Sequence, residues 1–302
     1  MDQFTRPIPA QRPDRRVFGI TLMLGAAFVM SATDAAGKWV VAGYPVAELN
    51  FVRSLFSVGL LIPVLWRSEG AAGWRTQRPM AHAGRALLAV TLTAVWFFSL
   101  RAMPLADAAT LAMCAPFFMT ALSVWLLGEH VGWKRWAAIA IGFGGVLLIV
   151  RPGTSVFQPI SLLVVAAAFG YALYMVTNRV LTATESVTAL TLFPQLAVLI
   201  GSAAMAPFVW VPPTLGGVAA MAFTGVCAGV GHLLLTIAFR YAPASVLAPL
   251  DYTALIWAVI FGFVLFGTLP DRWVVGGMAL IVGAGLVIVW REAVAKRRLG
   301  AA

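Results

Sequence analysis

The sequence predicts an all-α integral membrane protein, with ten transmembrane helices arranged as two inverted five-helix repeats. Three observations carry this. Hydrophobic residues make up 61% of the 302 residues and charged residues only 11%, at a mean hydropathy of +0.92. An average soluble domain carries about 25% charged residues, and a chain this apolar cannot cover its own core against water. The apolar residues also fall into long runs separated by short polar breaks, and the first half of the chain matches the second at a fixed offset.

The runs begin near Val17, Val46, Gly84, Ala106, Trp133, Ile160, Val187, Gly216, Val246 and Trp273. Each is long enough to cross a hydrocarbon core of about 30 Å at 1.5 Å per helical residue. Breaks such as "RSEGAAGWRTQRP", "GEHVGW", "RPGTSVFQP" and "GTLPDR" separate them. Helices are required, because barrel strands alternate in polarity over about ten residues. The first run follows basic residues as a signal peptide would, but a later span is its copy, so it reads as a helix of the mature bundle.

The formal net charge of +10 resembles a nucleic-acid signature. Its distribution argues against one. With alternate loops assigned to opposite sides, Lys38, Arg101, Arg151 and Arg272 fall on one side and Arg53 lies within a span. The other 16 of the 21 Lys and Arg residues fall on the opposite side. Positive charge concentrates in cytoplasmic loops, so both termini are expected in the cytoplasm of a bacterial inner-membrane protein, with the basic loops against lipid headgroups. Cys114 and Cys227 fall within spans and lack metal-type spacing.

A shift of 139 residues aligns "RAMPLADAATLAMCAPFFMTALSVWLLGEHVGWKRW" with "RYAPASVLAPLDYTALIWAVIFGFVLFGTLPDRWVV" without a gap. Arg101 meets Arg240, Pro104 meets Pro243 and Gly128 meets Gly267; a weaker match at 141 joins the earlier spans. The expected organisation is a cytoplasmic segment 1–16, a first repeat 17–151, a linker 152–159, a second repeat 160–290 and a cytoplasmic tail 291–302. Five spans per repeat is an odd number, so the second copy enters from the other side. Inverted repeats mark secondary transporters, whose halves rock around a site near the midplane.

The span 4–5 junction "LLGEHVGWKRWAAIAIGFGGVLLIVRPG" and the later stretch "PLDYTALIWAVIFGFVLFGTLPDRWVVGGMALIVGAGL" resemble the EamA-domain pattern of the drug/metabolite transporter superfamily. Arg53 in "AELNFVRSLF" resembles the arginine of that family's second helix. The resemblance covers essentially the whole chain. One departure is Thr268, where the family pattern often has Glu, which leaves Glu129 to play that part alone. The resemblance implies a ten-helix carrier with a central path lined by helices 1, 3, 6 and 8. The family's cargo ranges over amino acids, nucleosides, nucleotide sugars and S-adenosylmethionine.

On that implied path lie Asp34, Trp96, Tyr171, Tyr174, Asn178 and His232, a candidate set for small-molecule binding. Tyr171, Tyr174 and Asn178 follow i, i+3, i+7 spacing and share one helical face. Apolar walls with a few fixed polar groups suit a small amphipathic solute, although mid-helix aromatics also serve packing. His232 has chemistry suited to a proton-coupled step, or to a plain hydrogen bond within the bundle. Asp34 and Lys38 stand four apart on one face, as a gate, a clamp or a structural ion pair. Arg53 should meet an acid inside the bundle, with Asp34 and Glu48 the nearest by depth, and it shares a face with Asn50. Asp251 reads as a helix-end stabiliser or gate partner, less central than Asp34.

Other features read as scaffold. Ala140/Gly144 and Ala279/Gly283 are small-residue pairs expected to bring spans 5 and 10 together or to form a dimer face. Pro63, Pro116, Pro194 and Pro249 are expected to bend their spans. Trp39, Trp66, Trp74, Trp125, Trp133, Trp210, Trp273 and Trp290 read as an interfacial belt, and His82 and His130 as loop residues. There is no phosphate-binding loop, no metal or cofactor motif and no nucleophile beside a base. The expectation is a carrier, monomeric or weakly dimeric, that moves a small metabolite across the inner membrane by alternating access. Amino-acid export leads, with uptake of S-adenosylmethionine as the alternative; a channel or a membrane-embedded enzyme is the reading from another class.

Overall fold

The computed structural model describes residues 13–128, 131–154, 157–181, 184–242 and 244–299. Glu129 and His130 lie outside them. The described residues form helices joined by short connections, with no strand among them, and contain ten helices or broken helices long and apolar enough to span a membrane. Eight are continuous: α1 (Pro13–Gly43), α2 (Val46–Glu69), α3 (Pro79–Ala102), α6 (Trp133–Val150), α7 (Pro159–Leu181), α8 (Val187–Val209), α9 (Leu215–Tyr241) and α12 (Arg272–Leu299). The other two are broken, α4 (Leu105–Ala112) into α5 (Ala115–Leu127) and α10 (Ala244–Asp251) into α11 (Thr253–Phe266).

Local chemistry sets the ends. Ser186, Thr214 and Asp271 each accept a hydrogen bond from a first-turn amide at 2.9–3.1 Å, satisfying donors that no helix can satisfy itself. The spans ending at Leu127 and Phe266 stop at Gly128 (φ 66°) and Gly267 (φ 65°), both left-handed. Such a cap favours glycine, and the two caps are 139 residues apart.

The breaks also fall 139 residues apart, at Met113–Cys114 and Tyr252–Thr253. Elsewhere proline does not interrupt its helix: α2 and α8 run continuously through Pro63 and Pro194. Pro116 follows the first break and Pro249 precedes the second.

Most of the main packing contacts recur when the first five spans are exchanged for the last five, although α1 also touches α3 with no comparable α7–α9 contact among the described residues. Helix α1 lies against α9 as α7 does against α3; α5 touches α7 as α11 touches α1; α2 pairs with α8 and α6 with α12. The α6–α12 contact was expected from the small-residue pairs, but different glycines make it. A Cβ on Gly145 would strike the Gly277 carbonyl at 2.7 Å, and the reverse clash is the same, whereas a Cβ on Gly144 or Gly283 would meet no neighbouring helix within 4 Å. Ala140, Ala279 and Gly283 face outward. The contact face is rotated by about one residue from the face that the sequence pattern suggests.

Two ends of the bundle can be distinguished, one bearing most of the Lys and Arg (the basic end) and its opposite. At the basic end the α2–α3 connection, including a 3-10 turn at Gly70–Trp74, is tied to the α7–α8 connection. Ser186 Oγ donates to the Gly73 carbonyl at 2.6 Å, and Glu69 accepts from the Thr188 amide at 3.0 Å. Trp74 packs here on Phe193, 6.4 Å between centroids. At the opposite end Arg151 pairs with Asp271, joining the end of α6 to the start of α12. There Tyr44 bonds Thr214 at 3.2 Å.

Candidate functional site

The centre of the bundle holds a compact set of polar groups supplied by α1, α2, α3 and α9. Trp96 Nε1 donates to Asp34 Oδ1 at 2.8 Å. Arg53, only 8% exposed, lies with its guanidinium 5.4 Å from the centroid of Phe97. It is in electrostatic reach of Asp34 on one side and His232 on the other. Asp34 and Arg53 are not in direct contact, but opposite charges buried near one another offset part of each other's desolvation. The site is held at close quarters, since a Cβ on Gly225 would run into the Arg53 backbone and one on Gly37 into the Phe97 ring.

Several groups sit differently from the sequence expectation. Lys38 does not pair with Asp34. Its ammonium donates to the Leu100 and Met103 carbonyls at 2.5 and 2.7 Å, closing the C-terminal end of α3. A four-carbon stem reaches these carbonyls, which lack intrahelical partners and carry the negative end of the helix dipole. Glu48 does not meet Arg53; it accepts from the Val211 amide at 3.1 Å near the opposite end. Asn50 turns from Arg53 toward a crevice of about 300 Å³ between α2, α3 and α8, lined almost wholly by apolar side chains. Phe98 faces this crevice, whereas Phe97 is buried under Arg53.

Helix α7 contributes a second group. Tyr174 lies beneath the Arg85 guanidinium, 4.5 Å from its centroid. Tyr171 is 47% exposed and within electrostatic range of Asp251. Asn178, one turn further on, is half-buried. Asp251 stands a little over one turn into its span, which begins at Val246. It ends α10, with Tyr252 next to it as the N-cap of α11, so the helix N-terminus beside it lies inside the span. Asp34, Trp96, Arg53 and His232 thus form one cluster, and Tyr171 with Asp251 another.

The sequence reading missed a buried patch near the basic end. His82, expected in a loop, lies in α3, is buried, and its Nε2 is 3.2 Å from Glu185 Oε2. Glu185 also accepts from the Gln77 amide at 3.1 Å. Burial works against its charge, but hydrogen bonds from Thr76, the Gln77 amide and His82 hold its carboxyl below the usual glutamate range. Arg85, counted in the sequence as a loop cation, is buried as well. At the opposite end Asp107, in the first turn of α4, interacts with both Lys38 and Arg151. The available signal was that His82, Arg85, Glu185 and Asp107 all lie inside or at the edge of apolar runs, where charge is retained for a reason. Among the described residues, no cluster of three His, Cys, Asp or Glu side chains could hold a metal.

Comparison with known proteins agrees with this architecture. The sequence profile of the EamA-like transporter family matches residues 17–151 and again 158–290. A riboflavin transporter of Rhizobium johnstonii is 31% identical over 287 residues, covering 94% of each chain. An S-adenosylmethionine uptake transporter of Rickettsia bellii is 28% identical over 275 residues, 91% of this chain and 94% of that one. The pseudopaline exporter CntI of Pseudomonas aeruginosa is 29% identical over 279 residues, 89% and 95% of the two chains. A crystal structure with 22% identity superposes at a TM-score of 0.62, covering 95% of this chain and 99% of that one, so the overall fold has been seen in a solved protein.

Proposed function

The chain belongs to the EamA-like transporter family, and on that premise we propose that it is a secondary transporter for a zwitterionic metabolite of the S-adenosylmethionine type. It is a multi-pass bacterial membrane protein that transports rather than transforms its cargo. The observation that carries the substrate class is the buried opposition of Asp34 and Arg53, braced by Trp96. An ammonium and a carboxylate on one small molecule match that pair, and an adjacent indole suits the apolar part of such a solute.

Alternating access in the inner membrane follows from the repeats. Two copies of an odd number of spans enter from opposite sides, and exchangeable packing lets two similar halves rock about a central site. The ties at the two ends, Ser186 to Gly73 and Arg151 to Asp271, are then the contacts that must open alternately. The charge asymmetry of the loops favours both termini in the cytoplasm.

Free amino acids fit the same charge pair, with export as the direction the sequence suggests, but none of the relatives named above carries one. Riboflavin is the second reading, favoured by the relative at 31% identity. Counterflow in proteoliposomes decides among them. Vesicles loaded with unlabelled S-adenosylmethionine should accumulate the labelled compound in a saturable way. Accumulation driven only by riboflavin or by an amino acid would sink the leading substrate, and flux linear in concentration would point to a channel.

A further inference from the structure

We propose that Asp251 and Tyr171 form a second subsite of the carrier, which receives a sulfonium centre of the substrate while Asp34 and Arg53 receive its amino-acid end. The proposal rests on the substrate class given above.

The first observation is a missing counter-charge. Among the described acidic side chains, Asp34 has Arg53 and Trp96, Asp107 has Lys38 and Arg151, Asp271 has Arg151, and Glu185 has His82. Glu48 and Glu69 each accept a backbone amide at 3.0–3.1 Å. Asp251 has neither a hydrogen bond nor a cation in range; only the hydroxyls of Tyr171 and Tyr252 feel its charge. A carboxylate within a membrane span is costly unless something offsets it, and such residues face an interior path.

The second observation is where these side chains point. Asp251 and Tyr171 both carry accessible surface, yet protein surrounds both on nearly every side. A group that is accessible and also enclosed lines an interior cleft; a lipid-facing group would be open on one side. They come from α10 and α7, helices of different spans, and the Asp251 charge reaches the Tyr171 hydroxyl. Tyr252 is turned away from that cleft, since its hydroxyl is seated against Gly285 of α12.

The third is depth. Ser31 Oγ donates to the Ala254 carbonyl at 3.1 Å, which puts the break beside the middle of α1. Asp251 lies three residues before Ala254 and Asp34 three residues after Ser31, and the two spans run the same way. Their backbones are thus about 9 Å apart along the bundle axis at 1.5 Å per residue. The two acids therefore stand at different depths of the same bundle.

Charge completes the argument. Asp34, Arg53 and Asp251 sum to one negative charge. A free amino acid is neutral and brings one ammonium. A sulfonium amino acid brings an ammonium, a carboxylate and a sulfonium, one partner for each group and one net positive charge. An onium centre between a carboxylate and an aromatic face gains both ion pairing and cation–π attraction.

The test is calorimetric binding by the purified full chain in detergent, with two ligands. S-adenosylmethionine carries the sulfonium; S-adenosylhomocysteine is the same molecule without that methyl group and charge. Wild type is expected to prefer the sulfonium, and Asp251→Asn and Tyr171→Leu to lose about tenfold of that preference. Tyr171→Phe, which keeps the ring face, and Asp251→Glu, which keeps the charge, are expected to retain it and show that the site still folds. A preference untouched in Asp251→Asn, or an equal loss for both ligands, overturns the subsite alone. Failure of wild type to bind either ligand overturns the substrate class, and the subsite with it.

Discussion

The two broken spans, α4–α5 and α10–α11, interrupt at the same place in their repeats, and they differ in what the interruption presents. At the first, Leu111, Cys114 and Phe117 are fully buried, and no charged residue stands at the break. At the second, Asp251 is accessible and Tyr252 follows it. The anchoring is alike: Phe117 is seated on Gly142 of α6 and Tyr252 on Gly285 of α12, each ring wedged where a Cβ would not fit. What the repeats share is architecture, a helix that stops and restarts because a ring locks into the next span. What they do not share is chemistry, since Asp251 aligns with Ala112. Freed backbone groups at such breaks are tolerated where neighbouring protein or a cavity satisfies them.

The largest expected effect falls on the chemistry. Asp251→Asn should raise the half-saturating concentration for a sulfonium substrate about tenfold in proteoliposome uptake, leaving the maximal rate closer to wild type. Asp34→Asn, which leaves Arg53 without its buried counter-ion, should lower the maximal rate as well. Adding Ala112→Asp to Asp251→Asn should not restore uptake, because the first break offers no cleft. Wild-type kinetics from Asp251→Asn would make the two breaks equivalent after all.

The anchoring comes next. Gly285→Ala and Gly142→Ala should each destabilise the protein by roughly 1–3 kcal/mol through overpacking against Tyr252 and Phe117. Thermal unfolding in detergent reads this directly. A loss for one glycine only would show that the breaks are held differently.

A smaller effect concerns the cap that starts α12, the helix carrying Gly285. Asp271→Asn keeps a capping oxygen but loses the pair with Arg151, whereas Asp271→Ala loses both and should cost about 1 kcal/mol. Burial opposes the Asp271 charge, but the Val274 amide and the Arg151 guanidinium hold its carboxyl below the usual aspartate range. A depressed folded value means that its stabilisation is present above the usual range and fades as pH falls through the folded value. Melting curves from pH 7 down to 3 should therefore converge for wild type and Asp271→Ala at the acid end; parallel curves would show that the charge contributes nothing. The smallest effect is expected at Gly144 and Gly283, which meet no neighbour: alanine there should change stability by about 0.5 kcal/mol or less. A large change would show that this outward face is covered, as the dimer alternative in the sequence supposes.

Much of this molecule is legible without coordinates because the bilayer is a strong constraint. Span number follows from apolar length, and the 139-residue offset carries the matched caps at Gly128 and Gly267. The third span begins at Pro79 rather than near Gly84, since Arg85 and His82 are buried in a helix that the polar tally had assigned to a loop. The small-residue pairs announced the α6–α12 contact, yet Gly145 and Gly277 make it. A helix turns 100° per residue, so a pattern fixes a stripe only to within a neighbouring position.

The sequence by itself thus determined the class, the ten spans, the repeat and the presence of charge within the membrane. Those properties depend on composition along the chain, which lipid reads directly. The tertiary structure decided the partnerships. Asp34 takes the Trp96 indole and feels Arg53 rather than Lys38, Glu48 takes a backbone amide, Tyr252 locks α11 to α12, and Asp251 is left accessible with no cation of its own. Each of these depends on which faces of distant helices meet, and a charge finds its partner across space at short range, where linear spacing gives no measure of distance.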